Sequence, residues 1–240
     1  MKTNWASSIV LGFFLTVNCS GVAHAFQIIP NNEPAQITID VYDYAHANPG
    51  QLVEAEWAAT AILAKAGVQT VWLACPSGDA RTRACLGPAN PTHLVLRILP
   101  DSMSKQIKSV EGDALGFAGL EIGEQLNCNA WIFYDRVKDF AARQRISSQH
   151  LLAGVIAHEL GHLLLSQSAH TKAGLMHAYW SRAELFDMDC DRLFFSDAES
   201  KKIQSGVTAR NQAASAILAE EASLDSQALL SQLLGSDRMR

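Results

Sequence analysis

The chain has 240 residues, 48% of them hydrophobic and 18% charged, with a formal net charge of -5 at pH 7. That length and apolar content allow one substantial core. The acidic balance, with no basic stripe or polybasic run, argues against nucleic acid or an anionic membrane surface as the partner, and beyond the first 25 residues nothing approaches the roughly 20 apolar residues of a membrane span.

Residues 1–25 read as a signal peptide. Lys2 supplies the positive start, residues 9–17 form an apolar run, and Ala23-His24-Ala25 places small residues for cleavage after Ala25. Cys19 follows the apolar run, but Asn18 before it does not suit lipoprotein processing. The expected destination is therefore the periplasm or the outside of the cell. Cys75, Cys85, Cys128 and Cys190 remain in the mature chain, and an even count in an exported protein favours two disulfides. The Pro-, Gly- and Arg-bearing loop between the first two favours Cys75–Cys85, which leaves Cys128 with Cys190. No C-x-x-C pair supports a cysteine zinc site.

Along the mature chain, residues 26–36 lack periodicity and read as a short lead. Residues 37–44 alternate Ile37, Ile39 and Val41 with polar positions, the pattern of a strand. After Asn48-Pro49-Gly50, residues 51–66 place Val53, Trp57, Ala61 and Ala64 at helical spacing, with Ile62 and Leu63 widening the apolar face and Gly67 as a stop. Residues 68–73 and 93–99 read as further strands. Residues 112–123, rich in glycine, read as irregular chain or a short edge strand. Trp131–Tyr134 is an aromatic strand followed by the Asp135/Arg136 pair. Ser147 or Ser148 can cap a helix carrying Leu151, Leu152, Val155, Ile156, Leu160 and Leu163. The fold class expected from this order is α+β, with one mixed sheet and a long helix. A polar helix over residues 196–210 follows, and residues 211–240 form either an amphipathic helix or a loosely ordered tail.

The chemistry concentrates in His158-Glu159-Leu160-Gly161-His162. Residues four apart share a helix face, so His158 and His162 can direct two imidazole nitrogens at one cation. Glu159 is turned away from that face enough to be a poor ligand, but it can reach a water beside the metal, as a general base does. Catalytic zinc sites take three protein ligands. The nearest downstream candidate is His170, reached through the polar stretch Ser166-Gln167-Ser168-Ala169, and Gly174-Leu175-Met176 comes soon after.

The string from His158 to His170, with Met176 beyond it, resembles the metzincin clan of metallopeptidases, whose pattern is H-E-x-x-H-x-x-G-x-x-H followed by a methionine-containing turn. The order of strands and helix before it resembles that clan's N-terminal subdomain. The resemblance implies a metzincin-like mixed sheet with a long active-site helix, Zn2+ held by His158, His162 and His170, Glu159 as the catalytic base, and Met176 packed beneath the histidines. It also implies an edge strand that pairs with an extended substrate. His170 lies eight residues past His162 where the clan has six, and Leu165 stands at the clan's turn glycine, marks of an outlying family. Tyr179, three residues past Met176 rather than two, reads as packing more than as a ligand. Glu184 is the rival third ligand, through a resemblance to gluzincins such as thermolysin, which take a glutamate from a later helix.

The expected protein is thus a monomeric, exported zinc endopeptidase acting on peptide or protein substrates, with a catalytic domain over residues 26–210 and a tail over 211–240. Two other classes share these features: a zinc module without catalysis, and an interaction protein working through its C-terminal helices. His93, His150 and His177 have no ligand spacing, and Asp187, Asp189 and Asp191 read as surface carboxylates rather than a calcium loop.

Overall fold

The computed structural model describes residues 35–76, 85, 90–107, 112–119 and 128–236, with side chains described as far as residue 224 and at 226–227. The signal-peptide reading of residues 1–25 lies outside them. Strands β1 (Gln36–Asp43), β2 (Gln69–Cys75), β3 (His93–Leu99), β4 (Gly116–Gly119) and β5 (Asn129–Phe133) form one sheet in the order β2-β1-β3-β5-β4. The first three and β5 run parallel, while β4 pairs antiparallel with β5 at the edge. The parallel strands need crossovers. Helix α1 (Pro49–Lys65) supplies the one between β1 and β2. The remaining helices are α2 (Asp101–Ser104), α3 (Tyr134–Gln144), α4 (Ser148–Leu165), α5 (Arg182–Asp189) and α6 (Asp197–Ser236). The fold is α+β: a mixed five-strand sheet, a long helix and a helical C-terminal part.

Helix α1 begins where Asn48 accepts a hydrogen bond from the Gln51 amide, with Pro49 in the first turn, and it stops before Gly67, whose φ of 80° suits a residue without a Cβ. Its buried face differs from the sequence expectation. Val53 and Trp57 are 46% and 74% exposed, whereas Ala55, Ala59, Ile62 and Leu63 are buried. The small residues at i and i+4 let α1 pack closely on α4, and close approach outweighs the larger apolar area of the other stripe.

Helix α4 is the spine of the domain. Ser147 caps it through the His150 amide, and every residue from Leu151 to Leu164 is buried. A helix enclosed on all sides needs no amphipathic stripe, and this one contacts the sheet, α1, α3, α5 and α6. On the sheet, Tyr42, Arg97, Trp131 and Phe117 form one cross-strand row in register. The Arg97 guanidinium lies over the Tyr42 and Trp131 rings and donates to Asn129, and Phe117 stacks on Trp131. Such neighbouring pairs stabilise a sheet as i,i+4 pairs do a helix.

The Cys75–Cys85 disulfide is present, but Cys128 and Cys190 are not bridged to each other. The expected Cys128–Cys190 bridge does not form because the two thiols lie in different surroundings. Cys128 is buried at the start of β5, where its sulfur accepts a hydrogen bond from Arg210 of α6. Cys190 is exposed at the end of α5. Nor does the strand at Trp131 run through Tyr134; α3 begins there, burying Tyr134, Val137 and Ala141 on one face. Asp135 accepts from the Asp101 amide and Arg136 donates to the Ala114 carbonyl.

The C-terminal segment is one helix through Ser236. Its first part docks: Ile203 and Val207 are buried, Gln204 donates to the Ala66 carbonyl at the end of α1, and Arg210 donates to the Leu163 and Pro91 carbonyls. From Ser215 to Leu224 the side chains are exposed. Arg210→Ala should therefore lower folding stability by about 2–3 kcal/mol, because the buried Leu163 carbonyl and the half-buried Pro91 carbonyl lose their donor. Removal of residues 215–240 should change it by less than about 1 kcal/mol. Denaturant titrations of the two variants beside the full chain check both values.

Candidate metal centre

Helix α4 presents His158 and His162 one turn apart, and the chain beyond it brings His170 back to them. The His162 Nε2 atom lies 3.1 Å from the His158 Nε2 and 3.2 Å from the His170 Nε2. Among the described residues this is the one group of three or more His, Cys, Asp or Glu side chains able to hold a metal ion. The return is made by Ser166, which ends the helix at φ 51°, one residue past the position where a turn glycine is expected. Residues 167–169 carry the chain on to His170, and the Gln167 carbonyl turns back to accept from His162 Nδ1 at 2.8 Å.

The donor set fits a cation. His158 Nδ1 donates to the Leu175 carbonyl at 2.8 Å, as His162 Nδ1 does to Gln167. With their Nδ1–H groups committed, both neutral rings turn lone pairs toward one another at Nε2, an arrangement that is repulsive unless something positive lies between. Tetrahedral zinc at about 2.0–2.1 Å from each nitrogen implies nitrogen separations of about 3.3–3.4 Å, close to the two observed. Burial lowers the His158 pKa to about 3 and, with the neighbouring rings adding to it, also lowers those of His162 and His170. All three therefore favour the neutral form that a ligand requires.

Glu159 is buried, and burial pushes its carboxyl up to about 8. A Cβ on Gly116 of strand β4 would stand 2.8 Å from both the Glu159 Cγ and Oε1 atoms, so the missing side chain at 116 makes the room that Glu159 occupies. His158, Glu159 and His170 line a cleft of about 1210 Å³. One wall is β4 and its lead-in, another is the segment from His177 to Trp180, and α3 extends the cleft beyond Glu159.

Met176 is fully buried, and its sulfur lies 2.7 Å from where a Cβ on Gly161 would stand. The methionine thus packs against α4 at Gly161, the residue before His162. Tyr179 is 71% exposed on the cleft rim. Trp180 donates to the same Leu175 carbonyl that His158 uses, and its ring meets that of His158 edge-on.

Glu184 stands outside the histidine cluster. Its carboxylate accepts from the Gly174 amide at 2.9 Å, the Ser181 amide at 2.7 Å and His177 Nδ1 at 3.0 Å. Its spacing from His162 suggested a ligand, but its oxygens are spent on the loop. Of the other histidines, His93 is buried against Asp40, and His150 faces Asp189 and Asp191. Asp187 pairs with Arg192, and Asp189 accepts from the Ser147 amide. Sequence reasoning missed Gly116, the Leu175 and Gln167 carbonyls, and the cleft face of α3. A lone glycine in a glycine-rich segment and two main-chain oxygens leave no residue-type signal.

No protein-family model and no curated protein matches the chain. Among solved structures, it is similar to a zinc-dependent peptidase from Methanocorpusculum labreanum (strain Z), at 12% identity and a TM-score of 0.44, over 69% of this chain and 99% of that one.

Burial raises the Glu184 pKa, but hydrogen bonds from Ser181, His177 and Gly174 outweigh it and hold the group at about 2. A carboxylate depressed in the folded state stabilises fully above its unfolded pKa, near 4.5, and loses that contribution as pH falls toward 2. The stability advantage of wild type over Glu184→Gln should therefore be constant above about pH 5 and shrink steadily below it, as urea denaturation across that range will show.

Proposed function

We propose that the chain is an exported, metzincin-like zinc endopeptidase in which His158, His162 and His170 hold Zn2+ and Glu159 is the general base. The observation that carries the reading is the convergence of three Nε2 atoms, with 3.1 and 3.2 Å between neighbours, beside a cleft that His158 and His170 line together with Glu159. The Cys75–Cys85 disulfide supports an oxidising compartment, and no helix among the described residues is long and apolar enough to cross a membrane.

Zn2+ at such a site supplies Lewis acidity, polarising a carbonyl and lowering the pKa of water. The protein's part is to bind, orient and move a proton. Strand β4 ends the sheet, and its lead-in lines the cleft, so an extended peptide can add to that edge by main-chain hydrogen bonds. The peptide's carbonyl then lies near the histidines and its scissile nitrogen near Glu159. Glu159 takes a proton from the attacking water and delivers it to the leaving amine. Gly116 keeps space for the carboxyl to do so, since any side chain there would strike it.

The test is metal content and peptide cleavage measured together. Wild type should hold one zinc per chain and lose cleavage to a chelator. His170→Ala should lose zinc and activity. Glu159→Gln should keep zinc while cleavage falls by about 10²–10⁴-fold, and Gly116→Val should do much the same with the carboxyl still present. Zinc binding with no cleavage of any peptide mixture would leave a metal module without catalysis. No zinc under replete conditions would end the proposal.

A further inference from the structure

We propose that Glu184 is a positioning residue for His158: its carboxylate gathers residues 174–181 and so fixes the Leu175 carbonyl that sets the His158 ring. The proposal rests on the reading of His158 as a metal ligand. Glu184 Oε1 accepts from the Gly174 amide and Oε2 from the Ser181 amide, while His177 Nδ1 lies 3.0 Å from both oxygens. Leu175 sits inside the span these contacts close. Its carbonyl accepts from His158 Nδ1 and from Trp180 Nε1. The same span is tightened by the His177 amide on the Gly174 carbonyl and the Thr171 amide on the Met176 carbonyl.

A clamp works only if its base is fixed relative to what it aligns. Glu184 stands on α5, whose Met188 sulfur reaches to 2.5 Å from where a Cβ on Gly154 of α4 would be. The helix that carries His158 therefore also seats α5. Contacts run from α4 to Met188, along α5 to Glu184, across to Gly174 and His177, and through Leu175 back to His158. The closed circuit fixes the carbonyl against the helix it serves. A carboxylate is required because all three groups around it are donors. A glutamine amide, in either orientation, turns its NH2 toward one of them, and an aspartate is one methylene too short.

Glu184 also belongs to a capping box with Ser181, so the experiment must separate a cap from a clamp. Zinc affinity is measured by chelator competition in wild type, Glu184→Gln, His177→Ala and Ser181→Ala, and the His158 Nδ1–H resonance is followed by NMR in the metal-free proteins. Glu184→Gln should weaken zinc binding by about 10–100-fold, the range for partners that orient metal ligands, and should move the His158 resonance. His177→Ala should give a smaller loss in the same direction. Ser181→Ala removes the hydroxyl that caps α5 and neighbours the carboxylate but keeps the Ser181 amide, and should lower the melting temperature while changing zinc affinity far less than Glu184→Gln does.

Unchanged affinity in Glu184→Gln, or an equal loss in Ser181→Ala, would reduce Glu184 to a helix cap and overturn the proposal. Should Glu184→Gln fail to fold, His177→Ala decides, and wild-type affinity in that variant overturns it. If wild type takes up no zinc, the peptidase reading falls by itself. The His158 resonance then decides the clamp, upheld if it moves in Glu184→Gln and refuted if it stays.

Discussion

The Nδ1–H groups of His158 and His162 are each tied to a main-chain carbonyl, Leu175 and Gln167, at 2.8 Å, and the tautomer these bonds impose is what the cluster rests on. With the protons held on the outer nitrogens, the inner nitrogens carry lone pairs and face one another. Neither carbonyl belongs to α4. Gln167 lies two residues past the helix end at Leu165 and Leu175 ten past it, so the chain after the helix must return twice before the histidines on it have a defined orientation. That requirement accounts for the density of turns, positive φ and main-chain contacts between Ser166 and Ser181.

The return is possible because α4 has gaps in its surface. Glycine inside a helix costs about 1 kcal/mol relative to alanine, yet Gly154 and Gly161 both lie within α4. Each is filled by a methionine, Met188 at Gly154 and Met176 at Gly161, with Phe195 sharing the second gap. Methionine suits such spaces, being unbranched and polarizable. The two glycines are seven residues apart, two turns along one face, so α5 and the segment around Met176 lie along the same side of the helix. Dispersion contacts from a fully buried sulfur and its neighbours offset the propensity loss. At the far end of α4, Gly206 lets α6 approach the Leu164 carbonyl, and Arg210 takes up the Leu163 carbonyl left unpaired where the helix ends.

What the sequence revealed divides by the kind of signal involved. Strand alternation at Ile37, Ile39 and Val41, the capped start of α4 at Ser147, and the glycine-bearing edge strand were legible, since period and turn chemistry survive folding locally. His170 was found by distance from the motif, and the cluster brings it to His162. Helix α1 was placed but rotated, because Val53 and Trp57 offer more apolar area than Ala55 and Ala59, and only the partner helix shows that closeness matters more. Helix α3 carried its signal in Tyr134, Val137 and Ala141, spaced for one face, but the aromatic run before it reads as a continuing strand. The cysteines misled because an even count does not say which thiols meet. Glu184, the rival third ligand, is more instructive: a carboxylate spaced for a metal is also spaced for the loop that carries the Leu175 carbonyl, and only the donors around it separate the two.

The buried pair at the heart of the site is balanced so that neither member favours charge. Burial takes His158 to about 3 and Glu159 to about 8, so near neutrality the deepest groups of the metal-free protein favour their uncharged forms. A divalent cation among the histidines brings positive charge into that low-dielectric region, and an ionised Glu159 beside it offsets the charge. On the proposed reading, cation uptake and loss of the Glu159 proton therefore favour one another. On that reading metal binding would do more than add a Lewis acid, since it would convert an acid held protonated by burial into a base able to accept a proton from water. The proposed reading gives the adjacency of His158 and Glu159 in the chain a physical purpose: the carboxyl would be near enough to feel the cation and turned far enough away not to bind it.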